Sequence, residues 1–367
     1  MKKTAAWPLA GIYAALVIYA SLYPFEQWRA QGVAWTSFLV APWPRYWTGF
    51  DVLSNILGYA PLGFIGVLAL RRSARHLPAV TLTFLAGAAL SLSMESLQLF
   101  LPSRVPSNVD WALNSLGTLL GASSAWVLER FGLLDRWSRF RANWFLPDAR
   151  GSLVLLALWP VALLFPVPVP FGLGQILERT EEALALRLQD TPWLDWLPVR
   201  EVELQPLLPL YEVLCVCLGQ LLPCLLAFSL IRHLHQKAIA WLMLMASGLC
   251  FTALSAALTY GPSHAWGWAN TPVQLAWVLA AVLAIPFMWA AEKTLQVLAL
   301  VGLVLQLTML NNASASAYFA LTLQTWEQGQ FIRFHGLIQW IGWLWPFVFL
   351  VYLMRRLASA RPSKMGG

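Results

Sequence analysis

The chain has 367 residues, of which 59% are hydrophobic and only 11% are charged. A soluble globular protein carries roughly 25% charged residues, so this composition argues against a soluble, disordered or nucleic-acid-binding protein. The 21 Trp and 23 Pro are typical of a membrane protein, where Trp concentrates at the headgroup level and Pro is tolerated within spanning helices. The composition therefore predicts an all-α, polytopic integral membrane helical bundle.

Ten mostly apolar stretches are long enough for a helix to cross a hydrocarbon core of roughly 30 Å. They lie near residues 5–24, 51–70, 79–101, 109–128, 151–170, 206–231, 238–260, 273–291, 294–312 and 335–354. If Lys2 and Lys3 are cytoplasmic, most of the 24 Lys and Arg residues fall on the cytoplasmic side. The positive-inside rule then predicts about ten transmembrane helices, both termini in the cytoplasm, and a multi-pass protein of the cytoplasmic (inner) membrane.

Three regions are predicted along the chain: a four-helix membrane domain (1–128), a basic interfacial cytoplasmic linker (129–150) and a six-helix membrane domain (151–367). The last domain contains a long extracytoplasmic segment, 171–205. Five aliphatic residues of that segment share one helical face: Leu173, Ile176, Leu177, Leu184 and Leu188. This pattern predicts an amphipathic helix on the outer membrane surface, with a solvated loop helix as the alternative.

The four cysteines, Cys215, Cys217, Cys224 and Cys250, all fall inside predicted spans. Cys215 and Cys217 point about 200° apart on a helix, so they do not converge on one metal ion. Free thiols in such apolar surroundings behave as packing residues, and we expect all four to be buried.

An internal repeat opens the second and fourth spans. The two copies are Thr48-x-x-Asp51-x-x-x-Asn55-x-Leu57-Gly58 and Ser107-x-x-Asp110-x-x-x-Asn114-x-Leu116-Gly117. In each copy the hydroxyl residue can cap the helix, with the Asp placed as in a capping box. The Asn and Gly follow on the same face, and Gly permits close helix approach. Duplication and chance both explain the match. Helix packing is predicted at Gly58, Gly63 and Gly117.

Polar residues gather at the outer end of the third span. Glu95 and Gln98 share a face, and Glu95 lies about 10 Å below the end of the helix. A carboxylate at such depth is costly and marks a functional site by default. A short turn after Arg104 makes the third and fourth spans neighbours. The predicted ligand-binding or proton-coupled residues are Glu95, Gln98, Arg104, Asp110, Asn114, Asp51 and Asn55.

Simpler roles compete with this interpretation. Asp110 can serve only to cap its helix, and Arg104 can reach only toward lipid headgroups. Asn55 and Asn114 can form hydrogen bonds between neighbouring helices. Glu95 can pair with Arg104 for a purely structural purpose.

Several of these elements occur together in a fixed order: Asp51…Asn55…Gly58-Tyr59-Ala60-Pro61-Leu62-Gly63, Glu95-x-x-Gln98, Arg104 and Asp110-x-x-x-Asn114-x-x-Gly117. This set resembles the VanZ-like membrane family over about residues 1–128. The resemblance implies a cell-envelope membrane protein, in a family whose name comes from low-level resistance to the glycopeptide antibiotic teicoplanin. It implies no established reaction, and it leaves the six later helices unmatched.

Three functions remain open at this point. The first is binding or translocation of an anionic lipid or lipid-linked envelope precursor at an extracytoplasmic-facing site, because Arg104 offers a bidentate fork for phosphate. The second is an outer-leaflet hydrolase or transferase acting on a lipid-linked substrate, with Glu95 and Asp110 as acid and base. No Ser-His or Cys-His arrangement accompanies them locally, so enzymatic activity is left undecided. The third is an assembly partner for another membrane protein through residues 151–367.

The six later spans contain five notable polar residues: Glu212, Gln220, Asn311, Asn312 and His335. They indicate either a second extracytoplasmic site or hydrogen bonding between helices. Membrane lipids are the expected partners. No metal site, cofactor or nucleic-acid partner is predicted, and no nucleotide-binding loop is present.

Overall fold

The structure is a computed structural model that describes residues 6–34, 36–43, 48–73, 78–147, 149–196, 204, 207–314 and 332–359. Lys2 and Lys3, which orient the predicted topology, lie outside these residues, as does part of the 171–205 segment. Within the described ranges the chain forms α-helices and short 3₁₀ helices with no β-strand, and Phe145 and Ile231 form an isolated bridge. The all-α prediction is confirmed.

The described ranges contain 12 α-helices. They are α1 (Ala6–Leu22), α2 (Gly49–Ser73), α3 (Ala79–Gln98), α4 (Asn108–Arg130), α5 (Leu133–Trp144), α6 (Arg150–Ala162), α7 (Leu177–Leu188), α8 (Pro209–Phe228), α9 (Leu234–Tyr260), α10 (Thr271–Phe287), α11 (Glu292–Asn311) and α12 (Ile332–Ser359). Short 3₁₀ helices occupy Ser37–Val40, Pro192–Trp196 and Pro262–His264.

Six of these helices are long and apolar enough to cross a membrane. They are α2, α3, α8, α9, α11 and α12. Helices α1, α6 and α10 are apolar but shorter, and α4 is long but carries more polar residues. Each predicted span therefore coincides with a helix, and the chain is a multi-pass helical membrane protein. The count of ten spans stays a prediction.

One predicted span ends early. The sequence predicted a helix over 151–170, but α6 ends at Ala162. Pro166, Pro168 and Pro170 follow, and proline lacks the N–H that a helix interior requires. The chain from Leu163 to Ile176 is consequently irregular, although Phe165, Val169, Phe171 and Leu173 are buried in it.

The chain forms two compact units, Met1–Phe140 and Arg141–Gly367. In the first unit α2 packs mainly on α4, α3 packs on α4, and α1 lies against α2. At one end of this bundle Arg71 and Glu129 form an ion pair of 2.6 Å that joins α2 to α4. The first unit is therefore a bundle of α1 to α4 in which α2 contacts each of the other three helices.

The second unit is organised around α8. Helices α10, α11 and α9 pack on α8, and α12 packs on α6 and α11. Nearly every α8 residue from Cys215 to Phe228 is buried. Large apolar side chains fill the core around it, among them Trp159, Phe171, Phe228, Leu222 and Phe349.

The predicted amphipathic helix is present as α7, which has no buried residues and exposes Leu177 and Leu184. Leu173 and Ile176 precede its first residue and are buried, so the prediction that they share its face was wrong. The Asn311 side chain explains this. Its Oδ1 accepts hydrogen bonds from the backbone N–H groups of Ile176 and Leu177, at 3.0 and 3.1 Å, and fixes the chain entering α7 against α11.

The predicted linker region contains α5, which has no buried residue. Trp137 and Phe140 are exposed on it and stack with ring centroids 5.5 Å apart. Basic residues Arg136, Arg139 and Arg141 lie in the same helix. Aromatic and basic residues together are typical of a helix at a membrane surface, and that placement stays a prediction.

Cys215, Cys217 and Cys224 are buried and free, as expected. Cys250 is exposed, so the prediction that it is buried was wrong. It shares one face of α9 with Met243 and Leu254, which are also exposed, because these residues are separated by seven and four positions. The apolar character of a span does not reveal which of its faces is covered by other helices.

Candidate ligand site in the first unit

The two repeat copies begin their helices in related ways. In the first, the Asp51 carboxylate accepts hydrogen bonds from the Thr48 N–H at 3.0 Å and the Thr48 hydroxyl at 2.9 Å, and the Asp51 N–H donates back to Thr48 Oγ1. This is a reciprocal cap of α2. In the second, Ser107 caps α4, and its Oγ accepts from the N–H groups of Val109 and Asp110.

The first repeat copy is bonded directly to the second. Asn55 Nδ2 donates to the Asp110 carboxylate at 2.8 Å, which joins α2 to α4. The equivalent asparagine, Asn114, is turned toward α3 instead, where its Nδ2 donates to the Ser91 hydroxyl at 3.0 Å. The same sequence pattern therefore serves two different contacts.

Glu95 is 3% exposed, and its carboxylate accepts a hydrogen bond of 2.9 Å from the Ser107 N–H. It thereby ties the end of α3 to the turn that starts α4. Since that turn is short, the sequence predicted α3 and α4 as neighbours, and the structure confirms it. A carboxylate buried at this depth costs several kcal/mol unless it is well bonded.

Gln98 and Arg104 both bond the end of α1. Gln98 Nε2 donates to the Ser21 carbonyl at 2.9 Å. The Arg104 guanidinium donates to the Tyr23 carbonyl at 2.6 and 3.0 Å and to the Ala20 carbonyl at 3.3 Å. The last carbonyls of a helix carry partial negative charge, so a cation there is stabilising. Arg104 is half-buried in this position and held in a defined orientation.

One polar atom of this region, Asn114 Oδ1, is buried without a hydrogen-bond partner among the described residues. The Tyr59 ring is almost fully buried. Its hydroxyl faces those of Ser21 and Ser91 and lies within electrostatic reach of the Glu95 carboxylate. Tyr59, Ser91, Glu95 and Asn114 therefore form a buried polar cluster, which we call the α2–α4 polar cluster.

Tyr59 and Ser91 were not among the site residues predicted from the sequence. Helical spacing offered a signal for both. Tyr59 lies four residues after Asn55, and Ser91 lies four residues before Glu95, so each shares a face with a residue of the predicted set.

Close backbone contact between α2 and α4 depends on glycines. A Cβ at Gly117 would overlap the Ile56 carbonyl, one at Gly121 the Ala60 carbonyl, and one at Gly63 the Thr118 carbonyl. Around Gly58 no described atom lies within 4 Å of such a Cβ. Gly121 was not named from the sequence, although Gly117-x-x-x-Gly121 has the small-xxx-small spacing of packed membrane helices.

The cluster offers one carboxylate, hydroxyl groups and an amide inside a helical bundle, with the Arg104 guanidinium at the same end of the bundle as Gln98. Such groups can hold a polar headgroup or exchange a proton with it. Among the described residues no group of three His, Cys, Asp or Glu side chains could hold a metal ion.

The fold and this cluster define a multi-pass helical membrane protein with a polar site in its first bundle. Residues 7–129 match the family described as VanZ/LLP1, and these residues contain α1 to α4 and the whole candidate site. The VanZ-like resemblance is thus confirmed for this third of the chain. No curated protein and no solved structure matches the chain.

Proposed function

We propose that the protein is a VanZ-like cell-envelope membrane protein whose first unit binds or translocates an anionic lipid or lipid-linked envelope precursor. The observation that carries the proposal is Asn114 Oδ1, which is buried without a partner among the described residues, in the cluster that also holds the Tyr59 hydroxyl and the buried Glu95 carboxylate. Each such atom costs about 1–3 kcal/mol, and native proteins normally satisfy it with a water, an ion or a ligand. A hydroxyl-rich or phosphate-bearing headgroup has the required donors and acceptors.

Arg104 supports an anionic ligand. Its guanidinium is oriented by the Tyr23 and Ala20 carbonyls, and the planar fork of arginine suits phosphate better than a lysine does. The amides of Gln98, Asn55 and Asn114 contribute further polar groups. Glu95 is the proton-coupled candidate, because it is the buried carboxylate of the predicted set.

The proposal includes the membrane topology. Ten spans with both termini in the cytoplasm of the inner membrane would place the Glu95 end of the first unit at the extracytoplasmic leaflet. The polar α4 can be a span because α2 and α3 cover its buried Asn114, Ser115 and Thr118. In this scheme 1–128 is the ligand-binding domain, 129–150 the interfacial linker and 151–367 the second membrane domain. Tolerance of teicoplanin would follow from handling an envelope precursor.

Native mass spectrometry with lipid identification tests the binding step. We expect the purified wild-type protein to retain a discrete phospholipid or polyprenyl-phosphate. Loss of one hydrogen bond to a charged group is worth about 1.5–3 kcal/mol, so Arg104→Ala and Glu95→Gln should lower retention by at least ~10-fold. Glu26→Gln is the matched control, because Glu26 is exposed in the same unit. Equal retention in all four proteins would overturn the proposal.

Tyr59→Phe separates binding from folding. If the hydroxyl serves no ligand, Tyr59→Phe removes only its interactions with the Ser21 and Ser91 hydroxyls, and the lipid adduct stays intact. If it contacts the headgroup, the adduct is lost while the midpoint in detergent is maintained. The second result is expected.

The two alternatives from the sequence stay predictions. Turnover of the identified lipid by the wild-type protein, lost in Glu95→Gln, would favour a hydrolase or transferase. Stable copurification of one membrane protein, dependent on residues 151–367, would favour an assembly partner.

A further inference from the structure

The second unit contains a cavity of about 650 Å³ that takes no part in the proposed site of the first unit. Its walls are the proline-rich segment after α6, the C-terminal half of α9, the loop before α10 and the first turn of α8. Residues that decide its chemistry are Glu212, Thr252, His264, Trp268, Tyr260 and Phe165. A volume of this size falls within the roughly 300–1,000 Å³ of small-molecule sites.

One face of α9 lines the cavity with hydroxyl groups. Thr252, Ser255 and Thr259 follow at spacings of three and four residues, so they share that face. Ser255 donates to the Leu164 carbonyl at 2.8 Å, and Thr259 donates to the Ser255 carbonyl at 2.8 Å. Thr252 is different. It is 8% exposed, and its hydroxyl has no partner among the described residues.

The cavity contains the carboxylate of Glu212, which is half-buried in the first turn of α8. No described side chain forms a hydrogen bond or ion pair with this carboxylate. The described lining includes no Lys or Arg. Glu212 is thus the one acidic or basic side chain, histidine apart, in the described lining, and its carboxylate favours a cation over the anionic ligand proposed for the first unit.

Several of the remaining polar groups are already bonded. Trp268 Nε1 donates to the Ala265 carbonyl at 2.9 Å. His264 Nδ1 lies 3.1 Å from both the Tyr260 carbonyl and the Ser263 hydroxyl, so Nε2 accepts in one tautomer and donates in the other. The lining residues Pro166, Pro168 and Pro170 have no N–H. Such a lining suits a ligand that brings positive charge.

Aromatic rings complete the site. Phe165, Tyr260 and Trp268 line the same cavity as Glu212. The Trp268 ring makes a T-shaped contact with Phe171 at a centroid distance of 5.7 Å and stacks on Trp266 at 6.1 Å. Aromatic ring faces attract ammonium groups electrostatically. A carboxylate together with aromatic rings is therefore a recognition set for an organic ammonium.

We propose that this cavity binds an organic ammonium group with apolar substituents, with the Glu212 carboxylate as its counter-ion, the Thr252 hydroxyl as a polar contact and the Trp268 ring against the cation. The ammonium can belong to a zwitterionic lipid headgroup or to a free amphipathic amine. This binding function is independent of the lipid site proposed for the first unit.

The test compares the affinities of two probes for the full-length protein in a non-ionic detergent, measured by calorimetry. The probes are phenyltrimethylammonium and its uncharged isostere tert-butylbenzene. We expect the cation to bind at least ~10-fold more tightly than the isostere, since charge recognition contributes 1.4 kcal/mol or more. Glu212→Gln should abolish that preference. Glu182→Gln, the same change at an exposed residue of α7, should keep it. Equal affinity for the two probes, or a preference unaffected by Glu212→Gln, would overturn the proposal.

Two further measurements test the role of Thr252 and identify the source of the ammonium group. Thr252→Val keeps the shape of the side chain and removes the hydroxyl, so it should weaken cation binding while the thermal midpoint stays within a few degrees of wild type. Native mass spectrometry from bilayers of phosphatidylethanolamine and phosphatidylglycerol identifies the source. Retention of phosphatidylethanolamine, lost in Glu212→Gln, assigns a lipid headgroup, and cation preference without retained lipid assigns a free amine. Retention of phosphatidylglycerol at an equal level, dependent on Glu212, would count against an ammonium site.

Discussion

The two units use different means to hold helices together. In the first, α2 and α4 approach until glycines meet backbone carbonyls, as at Gly117 and Gly121. In the second, large side chains such as Trp159, Phe228 and Phe349 fill the space between helices. Lipid tails are as apolar as leucine, so packing and hydrogen bonds carry helix association in a membrane. Where two helix backbones lie close together, short polar side chains can form hydrogen bonds between the helices. Where helices lie farther apart, large apolar side chains must fill the space between them.

Buried polar groups differ in the same way. In the second unit amides bond the backbone: Gln306 donates to the Phe171 and Cys215 carbonyls, and Gln220 donates to the Leu244 carbonyl. The amide nitrogen of Gln220 thus bonds a neighbouring helix, while its Oε1 is buried without a partner among the described residues. Asn312 is exposed, and the His335 side chain lies outside the described residues. In the first unit Asn55 and Asn114 bond the Asp110 and Ser91 side chains of neighbouring helices, whereas Gln98 and Arg104 bond backbone carbonyls. Buried polar atoms without a partner among the described residues occur in both units.

Among the substitutions considered, the largest loss of stability is expected in the apolar core of the second unit. Phe349 is fully buried, with its ring 5.2 Å from that of Trp345. Phe349→Ala should lower the free energy of unfolding by about 3 kcal/mol, because it leaves a cavity. Unfolding in mixed micelles, followed by Trp fluorescence, measures it. Val348→Ala, at the exposed neighbour, should change stability by less than about 1 kcal/mol. Similar losses in both variants would mean that side-chain packing does not dominate this unit.

The second-largest loss of stability is expected where α2 and α4 are in close backbone contact in the first unit. Gly121→Ala places a Cβ against the Ala60 carbonyl and should cost about 2 kcal/mol through displacement of α2 from α4. Gly58→Ala is the matched control in a helix, since its Cβ meets no described atom within 4 Å. It should be neutral or should stabilise by up to about 1 kcal/mol, because alanine is the better helix former. Equal thermal midpoints for Gly121→Ala and Gly58→Ala would contradict the role of close backbone contact in joining α2 to α4.

The hydrogen bond between repeat copies should contribute less. A double-mutant cycle with Asn55→Ala and Asp110→Ala should give a coupling energy near 1 kcal/mol, the size measured for hydrogen bonds between membrane helices. Unfolding free energies of the wild type, both single variants and the double variant supply the cycle. A coupling near zero would show that the contact at 2.8 Å does not help to join α2 and α4.

The smallest effect is expected at the helix caps. Thr48→Ala and Ser107→Ala should each cost no more than about 1 kcal/mol, the usual worth of a hydroxyl cap. Circular dichroism during thermal unfolding measures both. A cost at Ser107 well above that at Thr48 would show that the turn bonded to Glu95 depends on the cap.

The sequence predicted most of the features that depend only on residues close together in the chain. Apolar length is a property of each stretch, so every predicted span coincides with a helix, and the capping of α2 by Thr48 and α4 by Ser107 follows from their positions. The short turn after Arg104 also fixed α3 beside α4. By contrast, the bonds of Arg104 to the end of α1, the partner of Asn55 and the exposure of Cys250 depend on how separate helices are placed. Spacing along one chain segment contains no information about that placement.

The position of α8 has a consequence for how substitutions are tolerated along the chain. Because other elements surround it, its buried residues from Gly219 to Phe228 run consecutively. In α10 the buried residues form a narrow stripe of Val273, Ala276, Ala280 and Ala284. Saturation mutagenesis with a fitness readout would therefore show a nearly continuous intolerant block in α8 and a sensitivity wave with a period near 3.6 residues in α10.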